Sequence, residues 1–349
     1  MQEDVTFPID AALRLVSGLG ESAEQVTIER IPGGASTRQF ARVRCGPSTT
    51  LIAIFVPDAN RSDEIDKSGA NTSRWPFLEV RDLLAERGIR VPRVIAEACD
   101  QGLLLVEDLG DLTLATALEQ RPGYRVQLYQ TAVRDLAHAQ RRLRELPQGS
   151  VIARRAFDAD LLYWEIDHFR EWGLEKRGIQ LTPAERVTFD QAAALLAKEI
   201  AAWPRSFVHR DYQSRNLMVR FENDGQFHLT WIDFQDALLG PRIYDMVALL
   251  GDSYQCFERE FVLARLSEYA EALELSDAAS ELEREFDLVT VQRKLKDAGR
   301  FVFIDRVKGN PGFLEFVEPT IDKALDALTR LRHEPALFAL ESLLRARLR

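Results

Sequence analysis

His209-Arg210-Asp211-Tyr212-Gln213-Ser214-Arg215-Asn216 runs into two short apolar strand patterns, Leu217–Phe221 and Phe227–Ile232, the second ending on Asp233-Phe234. Between them, Glu222-Asn223-Asp224-Gly225 offers the Asp-Gly step that accepts the positive φ of a hairpin turn. The order is therefore His-Arg-Asp, an asparagine five residues after the aspartate, and a second aspartate 22 residues after the first. Phosphoryl transfer needs a carboxylate to orient an acceptor hydroxyl and take its proton, which suits Asp211. It also needs hard oxygen donors for a magnesium ion beside the phosphates, and a carboxamide and a carboxylate from the two arms of a hairpin, Asn216 and Asp233, suit that. Taken singly, the same residues make a polar turn capped by Asp211 and a strand that happens to end in aspartate. Four features in this order favour the catalytic reading. His209 reads as a buried brace and Arg210 as the partner of a nearby carboxylate.

Upstream, Val26–Ile31, Phe40–Cys45, Leu51–Val56 and Leu103–Val106 are β-rich, and Pro76–Glu86 has helical periodicity ending at Arg87-Gly88. An amphipathic segment, Ile9–Leu19, precedes them. Between the first two strands, Gly33, Gly34, Ser36, Thr37 and Arg38 form either a simple hairpin or a cradle whose amides and side chains approach phosphate, the reading that the downstream motif favours. Leu103-Leu104-Leu105-Val106-Glu107-Asp108-Leu109-Gly110 is an apolar strand running into an acidic turn. It is either a plain linker or a segment whose backbone near Glu107 and Leu109 meets an adenine edge. From Thr113 onward long helical periods dominate: Tyr124–Leu146, Asp160–Lys176, Pro183–Trp203, Ile243–Leu250 and most of Phe257–Leu348. The expected architecture is α+β, with a small N-terminal antiparallel sheet lobe carrying one helix (1–107) and a larger, mostly helical C-terminal lobe (108–349). The polar stretch Pro57–Ser73 reads as a mobile loop.

A formal net charge of −10 argues against a general nucleic-acid binder. Cys45, Cys99 and Cys256 are odd in number, widely spaced and without a CxxC pair, so neither a disulfide framework nor a zinc site is suggested. No apolar run approaches the roughly 18 residues a membrane helix needs, and the N-terminus has no signal-like apolar region, so a cytoplasmic location without a membrane partner is expected.

The chain resembles the aminoglycoside phosphotransferase and choline kinase superfamily, whose members share a bilobal protein-kinase-like fold, from Val26 through at least Tyr269. Within it, the stretch 209–218 and Asp233-Phe234-Gln235-Asp236-Ala237, with Gly240-Pro241 and Tyr244-Asp245 beyond, are similar to bacterial anomeric sugar kinases. The resemblance implies ATP and Mg²⁺ as cofactors and transfer to the C1 hydroxyl of N-acetylmuramate or N-acetylglucosamine in peptidoglycan recycling. An aminoglycoside, choline-like or homoserine acceptor is the neighbouring alternative. One departure stands out: Leu51-Ile52-Ala53-Ile54-Phe55-Val56 carries no phosphate-binding lysine, so Glu79 lacks its expected mate. Arg38 or Arg42, and less directly Lys67, are the replacement cations; without one, a nucleotide-holding pseudokinase becomes the competing reading. The segment between Asp233 and Gly240 is too short for a phosphorylatable activation loop, which disfavours a protein substrate. Asp236 reads equally as a metal-shell or a loop-bracing carboxylate, and Asp245 as a helix-head carboxylate tying the catalytic loop down. Substrate candidates are Glu165 and His168, on a helix whose Leu162, Ile166, Phe169 and Trp172 form a core stripe, and Arg215, suited to a lactyl carboxylate.

Overall fold

The computed structural model describes residues 7–19, 26–32, 38–46, 49–57, 75–275 and 279–348. Gly33, Gly34, Ser36, Thr37, Lys67 and most of the stretch 57–73 lie outside the described residues.

Compactness divides the chain into two units, Met1–Leu112 with Met218–Gln235, and Thr113–Leu217 with Asp236–Arg349. The smaller unit opens with α1 (Ile9–Ser17) and holds a five-stranded antiparallel sheet of β1 (Val26–Ile31), β2 (Gln39–Cys45), β3 (Thr49–Phe55), β4 (Val94–Ala98) and β5 (Leu103–Glu107), in the order β1-β2-β3-β5-β4. Strand alternation sorts its two faces. Leu51, Ala53 and Phe55 of β3 pack with Leu103 and Leu105 beneath α1, whereas Ile54 joins Leu104, Val106 and Leu78 of α2 (Pro76–Glu86) on the other face. The β3 positions that enter these two clusters are thus all apolar. β4 escaped the sequence patterns because its Val-Ile pair runs into Ala-Glu-Ala, residues depleted in strands; it is held by pairing with β5.

In the larger unit, α3 (Leu114–Gln120), α4 (Arg125–Arg142), α5 (Ala159–His168) and α6 (Pro183–Ala202) precede β6 (Arg205–Val208). Thr113 caps α3, Asp158 caps α5, and Thr182 with Glu185 forms a capping box on α6 behind Pro183. The helix expected over Asp160–Lys176 ends instead at His168 and continues as one wide π turn, Phe169–Leu174. Within this turn the Phe169 ring sits over Gly173 so closely that a Cβ there would lie 2.2 Å from it.

β7 (Leu217–Phe221) and β8 (Phe227–Trp231), which count with the smaller unit from Met218 on, form the expected hairpin, with Gly225 at φ 83°. β9 (Leu238–Pro241) returns to pair with β6. α7 (Tyr244–Leu250), α8 (Arg259–Ala272), α9 (Ala279–Lys308), α10 (Val317–Arg330) and α11 (Pro335–Leu348) complete the unit. The 30-residue α9 is its axis: Leu288, Val291, Leu295 and Ala298 enter a core shared with α5, α6, α10 and α11.

Candidate active site

The loop between β6 and β7 is built around one buried carboxylate. Asp245, at the head of α7, accepts the backbone N–H of His209 (2.6 Å) and of Arg210 (2.9 Å). That clamp holds Arg210 at φ 81°, a conformation that costs a non-glycine residue about 1–2 kcal/mol. The rest of Arg210 is tied as well: its carbonyl accepts from Arg293 (2.7 Å), and its guanidinium meets Glu165 (3.2 Å) and lies 5.7 Å over the Phe157 ring. Burial pushes the Asp245 carboxyl up to about 7, against the pull of the two amides and of Arg293. His209 is buried with its ring edge-on to Tyr212, whose hydroxyl donates to the Ala132 carbonyl (2.8 Å), so this end of the loop is a brace.

Turned outward by this arrangement, the Asp211 side chain is about one-third exposed (36%), and Arg293 Nη2 lies 3.4 Å from its Oδ1. Its surroundings favour the neutral acid, but the positive charges of Arg293, Lys296, Arg210 and His209 outweigh that and hold the carboxyl below its ordinary range. Asp211 is therefore ionised and able to accept a proton. The Asn216 carboxamide donates to the Asp211 carbonyl (2.9 Å), which leaves its oxygen as a donor for a hard cation. Ser214 gives both its N–H (2.9 Å) and its hydroxyl to Asp252, which is buried. Arg215 is exposed and lies flat on Tyr254, its guanidinium carbon 3.5 Å from the ring centroid and 5.7 Å from that of Phe316. Burial pushes the Tyr254 hydroxyl up to about 12.

Sequence reading passed over the α9 residues that supply the positive field. Arg293, Lys294 and Lys296 surround Asp297, at 3.7, 2.8 and 3.2 Å, and drive its carboxyl far below the ordinary range despite burial. The available signal was Gln292-Arg293-Lys294-Leu295-Lys296-Asp297, a polar run in the middle of a helix that is otherwise apolar on several sides. Glu165 faces inward at 1% exposure with its second oxygen accepting from Gln292 (2.8 Å). His168 sits among Trp164, Trp172 and Phe303, with ring centroids 5.6–6.1 Å away. Asp236 is half-buried, two residues ahead of β9.

In the smaller unit Asp233 has φ 64°, another left-handed non-glycine residue. Its Oδ1 accepts from Arg38 (2.7 Å) and from Gln235 (3.1 Å), and the carboxylate is one-third exposed. The following Phe234 is buried and stacks on Phe77 of α2 at 5.0 Å. Of the two arginines in question, Arg38 thus rests on a predicted metal ligand, while Arg42 bridges Asp108 (2.8 Å) and Asp111 (2.7 Å). Asp108 also accepts from the Gly110 amide; burial raises its carboxyl, yet these donors bring it below the ordinary value. Glu107 pairs with Arg93 (3.1 Å), and Glu107 and Leu109 both line a cleft of about 760 Å³ that Arg81, Arg90, Arg220 and His228 also border. Among the described residues no cluster of three or more His, Cys, Asp or Glu side chains forms a metal cage. Magnesium at a phosphoryl site needs none: one carboxylate with water and substrate phosphates suffices.

The model of the phosphotransferase enzyme family matches residues 27–284. The chain belongs to the phosphotransferase enzyme family. An N-acetylmuramate/N-acetylglucosamine kinase of Pseudomonas aeruginosa is 33% identical to this phosphotransferase over 267 residues, 75% of each chain. One of the same name from Neisseria meningitidis serogroup B is 33% identical over 315 residues, 87% of this chain and 85% of that protein. Among solved structures, choline kinase from Cryptosporidium parvum Iowa II superposes with a TM-score of 0.63 over 96% of this chain and 98% of its own at 13% identity. ADP-bound aminoglycoside phosphotransferase APH(2'')-Ib gives 0.58 over 91% and 98%, at 14% identity. Identities this low speak to the fold, and the fold is the α+β kinase-like one expected. Among the described residues no helix is long and apolar enough to cross a membrane.

Proposed function

We propose that this phosphotransferase moves the γ-phosphoryl group of ATP to the anomeric C1 hydroxyl of N-acetylmuramate, N-acetylglucosamine or both, in peptidoglycan recycling in the cytoplasm. The observation that carries the chemistry is Asp211: ionised, partly exposed and aimed by a loop whose backbone Asp245, Arg293 and Asn216 fix. The sugar assignment draws on the names of the relatives in Pseudomonas aeruginosa and Neisseria meningitidis.

In this reading Asp211 orients the C1 hydroxyl and accepts its proton as the oxygen bonds to the γ-phosphorus and the bond from phosphorus to the ADP oxygen breaks. Asn216 and Asp233 are the oxygen donors for magnesium, which when bound neutralises charge on the phosphates. Arg38, resting on Asp233, is the cation that takes the place of the missing strand lysine. Residues 1–107 serve as the nucleotide-binding lobe, with Gly33, Gly34, Ser36 and Thr37 at the phosphates and the backbone of Glu107 and Leu109 at the adenine edge; 108–349 are the catalytic and substrate lobe. Arg42, occupied by Asp108 and Asp111, steadies the segment after β5.

The test is ³¹P NMR of the protein with Mg-ATP and, separately, N-acetylmuramate, N-acetylglucosamine, galactosamine, choline and kanamycin. A new phosphate resonance coupled to H1 of an N-acetylated sugar is the expected result. A phosphate on another hydroxyl, or on choline or kanamycin alone, overturns the sugar 1-kinase reading.

A further inference from the structure

Arg215 is held ready for an anion that none of the described residues provides. A flexible arginine next to a catalytic loop normally either pairs with a carboxylate or sweeps through solvent. Here its guanidinium face is laid on Tyr254, and among the described residues no carboxylate meets it within ion-pair distance. The stacking is preorganised from below. Asp252 accepts the N–H and hydroxyl of Ser214, the residue before Arg215, and with its other oxygen accepts the N–H of Tyr254 (3.0 Å). One buried carboxylate therefore pins both the arginine's backbone and its aromatic platform. Lys323 of α10 donates to the carbonyls of Asp252 and Gln255 (2.6 Å), tying in the helix that Phe316 leads. Phe316 packs edge-on to Tyr254 at 4.8 Å and closes the second side.

With its face covered, a guanidinium still offers its edge, a planar fork of N–H donors that matches a carboxylate in two parallel hydrogen bonds. Aromatic walls lower the local dielectric and strengthen such a pair. The subsite belongs with the reacting centre: Arg215 stands four residues after Asp211, and the charges of Asp211 and Asp297 both act on the Tyr254 hydroxyl. N-acetylmuramate differs from N-acetylglucosamine by a lactyl ether ending in a carboxylate. Resting on the function proposed above, we infer that Arg215, held on Tyr254 and Phe316, is a specificity residue that binds the substrate carboxylate and makes N-acetylmuramate the preferred acceptor.

The experiment measures kcat/KM for N-acetylmuramate, its neutral lactyl amide and N-acetylglucosamine in the wild type, Arg215→Met, Arg215→Lys and Tyr254→Leu. Expected is a fall of about 10- to 100-fold in the ratio of N-acetylmuramate to N-acetylglucosamine for Arg215→Met, the loss typical of a charge-assisted contact. Arg215→Lys and Tyr254→Leu should fall between, and the wild type should prefer the acid to the amide while Arg215→Met does not. A ratio unchanged in Arg215→Met, or a wild type indifferent to amidation, overturns the inference even if all proteins turn over. Because the readout is a ratio within each protein, a general loss from poor folding does not imitate it. Absence of phosphate on any of the three sugars in the wild type is a separate failure, that of the kinase reading itself, and takes this subsite with it.

Discussion

Asp211 and Asp245 are both aspartates of one loop assembly, and their environments push them apart. Arg293, Lys296 and Arg210 keep Asp211 charged, whereas burial lifts Asp245 to about 7 although it receives two amide donors. On the function proposed above, Asp211→Asn removes the general base and keeps the shape, so kcat should drop by about 10²- to 10⁴-fold. Since the side chain is partly exposed and Arg293 keeps the Arg210 carbonyl and Asp297, the melting temperature should move by no more than about 2 °C in calorimetry. Activity within a few-fold of wild type would remove Asp211 from the mechanism. For Asp245 the sign runs the other way from most carboxylates. Its folded value, about 7, lies above the unfolded 3.8, so between them the folded state holds the extra proton. Stability contributed by this group is greatest below the unfolded value and is lost as pH rises through the folded one, with a limiting slope of about 1.4 kcal/mol per pH unit. Asp245→Asn should cost about 1–3 kcal/mol through a lost acceptor. It should also flatten the decline of unfolding free energy between pH 4.5 and 7.5 by about one proton, measured in urea across that range.

At the level of elements, α9 shows what the chain disclosed and what it withheld. The loop 209–216 and the hairpin after it were legible as structure because their residues lie within one short stretch, where spacing itself encodes geometry. Arg293, Lys296 and Asp297 were not, because they come some eighty residues later and a charged run on a helix ordinarily means a solvated face. Only packing turns that face inward. β4 was hidden because its pairing partner, not its composition, makes it a strand, and the π turn because periodicity does not show a contact such as that of Phe169 with Gly173. Another glycine makes the same point. Gly299 lies in α9 where a Cβ would stand 2.8 Å from the Phe169 Cα and 3.0 Å from the His168 carbonyl oxygen. Those are backbone atoms at the junction of α5 and the π turn and cannot step aside as a side-chain tip would. Gly299→Ala should gain about 1 kcal/mol of helix propensity. It should lose about 1–3 kcal/mol to overpacking against backbone, so the overpacking wins. A lower denaturation midpoint is expected, and a higher one would show that α9 shifts freely along the turn.

For the molecule as a whole, the last helix bears on how the larger unit ends its acid range. α11 buries Leu337, Leu340 and Leu344 in the same core as α9 and α10, and beside them it buries Glu341. That carboxylate accepts from Arg332 (2.6 and 2.7 Å), Arg345 (2.8 Å) and Thr329 (2.7 Å), so it joins the end of α10, the turn after it and α11 itself. The Arg332 hydrogen bonds above all hold it down at about 2, against an ordinary 4.5. A depressed folded value means that the unfolded chain takes up the proton first. The stabilisation is therefore complete above about pH 4.5 and disappears as pH falls through about 2. Asp108, Asp211 and Asp297 are shifted in the same direction and add to this limb, whereas Asp245 acts on the opposite one. Glu341→Gln keeps the size of the side chain and removes the charge that three elements share. Its denaturation midpoint should lie below that of the wild type at pH 5 to 7, and the two curves should converge between pH 4.5 and 2 as the wild-type carboxylate is protonated. A gap that stays constant down to pH 2 would mean that Glu341 holds α11 by its shape and packing rather than by its charge.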